Sequence, residues 1–165
     1  SNDSAQETYD ATGLHILPGV IDSQVHFREP GLEHKEDIAH GTKAAIKGGV
    51  TSIFEMPNTS PLTLDEQTLK AKLERAEQTA WCDYAFFMGG NSENAQRLAE
   101  LERLPGCAGV KIFMGSSTGT LLAKDDEVIA DVLANGVRRV SPPAAPVATC
   151  FLLSPLPRHW KTSGM

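Results

Sequence analysis

The sequence predicts an α/β fold built on a parallel sheet, and three observations point there. Short apolar runs alternate four times with segments of helical period. Each repeat has roughly the 30-residue length of a βα unit. The apolar runs are of the kind expected for strands covered on both faces. Two closures are open to such a pattern. A doubly wound open sheet could be complete at this length, whereas a (β/α)8 barrel needs about 250 residues, so that four units would be its first half.

The elements follow in order. Val20 to Phe27 reads as a strand, and Asp37 to Lys47 as a helix stopped by Gly48-Gly49. Thr51 to Met56 is a second strand. Thr63 with Glu66 three residues later has the form of a capping box, and the helix after it sets Leu69, Leu73, Ala76 and Ala80 on one stripe. Tyr84 to Met88 is a third strand. Ala95, Leu98, Ala99 and Leu104 mark a third helix, ended by Pro105-Gly106. Gly109 to Met114 is a fourth strand, and Val128, Ile129, Val132 and Leu133 mark a fourth helix ending at Gly136.

The last stretch differs from the rest. All 21 acidic residues lie at or before Asp131, together with 11 of the 15 basic ones, while the charges after Gly136 are Arg138, Arg139, Arg158 and Lys161. Five of the ten prolines also fall there. Prolines forbid a central strand, and no helical or alternating period is present. Residues 137–165 are therefore expected to be an irregular Pro-rich tail, as a truncated or frameshifted reading would leave. Residues 18–136 form the regular body, and residues 1–17 precede it.

Composition narrows the class of function. The net charge of −6 and the absence of a Lys/Arg block argue against a nucleic-acid surface. No apolar run reaches the ~18 residues of a membrane span, and no basic leader precedes an apolar core. Cys82, Cys107 and Cys150 form neither a disulfide ladder nor a C-x-x-C pair. A reducing, cytoplasmic setting is expected.

Polar residues gather at the carboxyl ends of the strands, where binding residues collect in either closure. Alternation puts Asp22, Gln24, His26 and Arg28 on one face of the first strand. Four such side chains on a buried face are costly without partners, and a barrel mouth holding a metal or an anion could supply them. The second strand runs into Pro57-Asn58-Thr59, and the fourth carries Lys111. Each has a plainer reading taken singly. His26 could be a hydrogen-bonded structural histidine, Asn58 a turn former, and Lys111 a residue whose amine reaches water. Gly115-Ser-Ser-Thr-Gly119 lacks the phosphate-loop pattern.

Taken together the motifs are more specific. Leu17-Pro-Gly-Val-Ile-Asp-Ser-Gln-Val-His-Phe-Arg-Glu-Pro-Gly31 resembles the metal-binding signature of the cyclic amidohydrolases, dihydroorotases in particular. Glu55-Met-Pro-Asn-Thr59 and Gly109-Val-Lys-Ile-Phe-Met-Gly115 fall where that family has its second and fourth strands. The resemblance covers roughly residues 10–136 and implies the first half of a metal-dependent (β/α)8 barrel. Residues 1–17 would then be a remnant of the family's small β-rich domain.

The resemblance also implies roles. His26 matches the second histidine of the family's D-x-H-x-H motif, and Gln24 stands where the first is expected, a weaker ligand for zinc. Lys111 matches a lysine that is carboxylated in many relatives. One or two zinc ions are expected of the family, bound weakly or not at all by this chain. Arg28 and Asn58 match residues that hold the carboxylate of dihydroorotate, and a forked guanidinium suits that anion. The implied reaction interconverts dihydroorotate and carbamoyl aspartate in pyrimidine synthesis. Alternatives are another cyclic amidohydrolase, of hydantoinase or allantoinase type, or a non-catalytic truncated or assembly domain. The family's strand-eight aspartate has no counterpart, since no acidic residue follows Asp131. No histidine stands where strand five is expected. The chain alone is thus expected to be inactive, with open first and fourth strands that favour self-association.

Overall fold

A computed structural model describes residues 7–114, 119–123 and 125–136, and the backbone of 149–153. Strands β1 (Val20–Val25), β2 (Val50–Glu55), β3 (Asp83–Gly89) and β4 (Cys107–Phe113) lie side by side in sequence order, each parallel to the next. Helices α1 (Ile38–Lys47), α2 (Glu66–Thr79), α3 (Leu98–Leu101) and α4 (Asp126–Asn135) follow the strands in turn. The sequence order of the strands and the helical crossovers are those of a half-barrel. Among the described residues, no helix is long and apolar enough to cross a membrane.

The two faces of the sheet separate along β3. Phe86 and Met88 join Val110 and Ile112 of β4 in the larger core, beneath Ile38 of α1, Leu69 and Ala76 of α2, Leu98 of α3 and Val132 of α4. Ala85 and Phe87 point the other way, into a smaller cluster with Met56, Ala108 and Phe54. Phe54 and Phe87 meet edge to face at 6.2 Å. A third cluster unites Phe27, Ile53 and Cys82. Gly41 permits the approach of α1 to Phe27, because a Cβ there would lie 2.6 Å from the ring.

Four expectations are corrected. The first strand ends at Val25, and Arg28 has a left-handed φ of 60°, so simple alternation does not carry as far as Arg28. Helix α2 is capped by Asp65, whose carboxylate accepts the Thr68 N–H while the Thr68 hydroxyl bonds the Asp65 N–H. Thr63, expected to be the cap, is buried instead. The third helix is one short turn, led by a 3₁₀ turn over Ala95–Arg97. Finally, the tail is not irregular throughout. Residues Thr149–Leu153 form β5, antiparallel to β4, so the expected open edge of β4 is paired. This proline-free run meets a row of backbone donors and acceptors that an unpaired edge would leave exposed. The remainder of the tail and Gly115–Thr118 lie outside the described residues.

Candidate active site

His26 follows directly on β1, and Asn58 lies in the turn after β2. Their side chains meet, with His26 Nδ1 2.8 Å from Asn58 Oδ1. An amide oxygen can only accept, so the ring proton sits on Nδ1 and the Nε2 lone pair is left for another partner. Burial is the largest influence on His26 and lowers its pKa; the bond to Asn58 opposes this, and the positive charges of Arg28, Lys111 and Lys72 lower it further. The imidazole is therefore neutral at neutral pH.

Backbone contacts hold the two loops together. Ser60 N–H donates to Pro30 O at 2.9 Å, and Met56 N–H to Val25 O at 3.0 Å. Gly31, at φ 93°, packs so tightly on Ser60 that a Cβ would collide with its carbonyl oxygen. Glu29 accepts the Ile38 N–H at 2.8 Å at the start of α1 and an Arg75 N–H at 3.2 Å from α2. Arg28, half-buried, is thus fixed between two anchored neighbours in a conformation unusual for a residue with a Cβ. Beside Asn58 a cleft of about 280 Å³ opens between Leu32, the Asn58–Leu62 turn and Gly119, near the lower limit of small-molecule sites.

Lys111 reaches the same neighbourhood from β4. Val110 and Ile112 face the helices, so Lys111 faces away from them. It is fully buried, with Nζ 4.9 Å from the Phe113 ring centroid. Gln24 stands apart. It is exposed on β1, with its backbone N–H donated to Asp22 at 3.0 Å. The structure therefore joins His26 to Asn58 directly and sets Arg28 and Lys111 within electrostatic reach of the ring.

These donors fall short of a metal centre. Among the described residues, no three His, Cys, Asp or Glu side chains converge on a metal-sized site. One imidazole lone pair, one lysine and an exposed amide do not supply the three good ligands of a catalytic zinc.

Two residues beside the site have no role in any motif. Glu55 and Lys72 are both fully buried and form an ion pair between β2 and α2. The signal was present: Lys72 lies three residues after Leu69 and four before Ala76, within the buried stripe of α2. Burial pushes the Glu55 carboxyl up to about 7, against the pull of Lys72.

Comparison with known proteins places the chain in a family. The Amidohydrolase family profile matches residues 15–124. The chain is 44% identical over 105 residues to the multifunctional protein CAD of Squalus acanthias, covering 64% of this chain and 5% of that protein. It is 44% identical over 117 residues to a dihydroorotase of Pyrococcus horikoshii, covering 70% of this chain and 25% of that one. Among solved structures, an L-hydantoinase (dihydropyrimidinase) from Arthrobacter aurescens superposes with a TM-score of 0.73 at 27% identity, over 80% of this chain and 30% of that chain. The chain thus spans about a quarter of the length of the dihydroorotase it matches. With the half-barrel, the His26–Asn58 mouth and a profile match over most of its length, the chain belongs to the amidohydrolase family.

Proposed function

We propose that the mouth around His26 is the first half of a dihydroorotase-type site, which in a whole enzyme interconverts dihydroorotate and carbamoyl aspartate. The observation that carries this reading is the contact between Asn58 and His26 beside Arg28. A cyclic amide bearing a ring carboxylate needs a cationic fork and an amide donor at one end, with its scissile bond held at the other. Arg28 supplies the fork and the Asn58 NH₂ group the donor. The neutral His26 and Lys111 then face the reacting end. Because the donors present do not complete a metal centre, no step is assigned to zinc in this chain, and the chain alone is expected to turn over neither direction. A cytoplasmic role in pyrimidine synthesis belongs to the same reading.

A second reading rests on the hydantoinase likeness. It keeps the ring-opening chemistry but takes an uncharged cyclic ureide, for which Arg28 is dispensable.

The test is a graft of residues 15–124 into the matching segment of the Pyrococcus horikoshii dihydroorotase. Dihydroorotate hydrolysis should be weak with Gln24 and rise with Gln24→His. Adding Arg28→Ala should then abolish turnover of dihydroorotate. A Gln24→His graft that opens hydantoin but not dihydroorotate would establish the second reading instead.

A further inference from the structure

Two fully buried charges meet on the helix side of β2. Glu55 shares that side with Ile53, and Lys72 projects from the middle of the buried stripe of α2. Lys72 Nζ donates to the Glu55 carboxylate and, at 3.0 Å, to the Met56 carbonyl oxygen. It also lies 4.9 Å from the centre of the Phe86 ring. Glu55 Oε1 is buried without a hydrogen-bond partner among the described residues. A buried ion pair with an unsatisfied oxygen is a poor source of stability, and apolar residues of similar volume often serve as well or better.

What an apolar pair lacks is direction. The bond from Lys72 grips the Met56 carbonyl, two residues before Asn58. The Met56 N–H donates in turn to Val25 O. Pro57 O then accepts the N–H groups of Thr59 and Thr63, each at 3.0 Å, which closes the turn that carries Asn58. One helical turn along α2, Arg75 grips Glu29 in the loop after His26. A single helix therefore ties down both loops that supply the His26–Asn58 contact.

We infer that Lys72 is a positioning residue, which acts through the Met56 carbonyl and the Glu55 carboxylate to set Asn58 against His26. The inference concerns the geometry of the mouth and does not depend on which cyclic amide the site takes.

Two double variants of the full chain test it. Lys72→Met with Glu55→Leu gives an apolar pair of similar volume. Lys72→Gln with Glu55→Gln gives an uncharged pair that can still donate to the Met56 carbonyl. The readouts are the melting temperature and the ¹⁵N-detected imidazole signals of His26, which report the hydrogen bond at Nδ1. The apolar pair should melt no lower than the unsubstituted chain yet lose the protected Nδ1 proton, with solvent exchange at least ten-fold faster. The amide pair should keep that proton. A His26 signal unchanged in the apolar pair overturns the inference, as does its loss in both pairs. An apolar pair that melts markedly lower, or does not fold, also overturns it, because the charges would then serve stability.

Discussion

Strands β1 and β4 stand at opposite sides of the candidate site and are held in opposite ways. Five of the six residues of β1 are exposed, whereas six of the seven residues of β4 are buried. Among the described residues β1 pairs with β2 alone, with shifts in register, while β4 lies between β3 and β5. Large apolar side chains on and before β1 face solvent, among them Ile16, Leu17, Val20 and Ile21. Lys111 therefore rests on a packed foundation. His26 and Arg28 emerge from an edge strand, and their placement depends on loop contacts with Asn58, Ser60 and Arg75. The halves of one site need not be equally preorganised. Here the half nearer the core is set by packing and the other by hydrogen bonds between loops.

The two strands should differ most in what they contribute to stability. Phe86→Ala removes a fully buried ring from the larger core, and its expected cost is about 3–5 kcal/mol in denaturant unfolding. Ile21→Ala on β1, where the residue is 55% exposed, should change stability by no more than about 0.5 kcal/mol. A larger loss at Ile21 that grows with protein concentration would show that a second copy covers β1.

The two strands should also differ as platforms for metal ligands. The unsubstituted chain should lose its zinc on dialysis, because Gln24 is a weak ligand on an exposed strand. Gln24→His adds a second imidazole and should raise retention toward about one zinc per chain. Mass spectrometry of the dialysed protein measures this, with Gln24→His/His26→Ala as the control that should return to the unsubstituted level. Full retention by the unsubstituted chain would show that β1 is better ordered as a ligand platform than its exposure implies.

The smallest expected effects lie at the helix starts. Asp65 caps α2, and hydrogen bonds from the Thr68 N–H hold its carboxyl below its ordinary value of 3.8. Asp37 does the same for α1 with His40. Asp65→Ala and Asp37→Ala should each cost about 1 kcal/mol. A carboxylate whose pKa is depressed in the fold contributes stability above its unfolded pKa and loses it as pH falls through the folded value. Both costs should therefore be present at pH 6 and fade below about pH 4. A greater loss at Asp65 than at Asp37 would mean that α2, which ties down both loops, matters more to the fold than α1.

The backbone plan was legible because each β-to-α alternation is written in local apolar runs and Gly or Pro stops. Finer features were legible only where the local pattern matched the physics. The Thr63–Glu66 spacing imitates a capping box, but Asp65 and Thr68 make the same reciprocal bonds in a form the familiar pattern omits. The third helix shrank because Ala95–Arg97 takes a tighter 3₁₀ turn that the same apolar spacing allows. In the site, His26, Arg28, Asn58 and Lys111 were named from motif resemblance, and the contact between His26 and Asn58 spans 32 residues, which no local period encodes. Lys72 and Glu55 were missed for the same reason. They lie 17 residues apart on different elements, and the place of Lys72 in the apolar stripe of α2 does not name its partner.

The third cluster, behind the His26 loop, has a practical consequence. Cys82 packs there with Phe27, the residue between His26 and Arg28. Burial, followed by the nearby charge of Asp83, pushes its thiol up to about 11. At neutral pH only about one molecule in ten thousand then carries the reactive thiolate at this position. Alkylation of Cys82 by iodoacetamide is therefore expected to be slow in the folded chain, and peptide mass measures it.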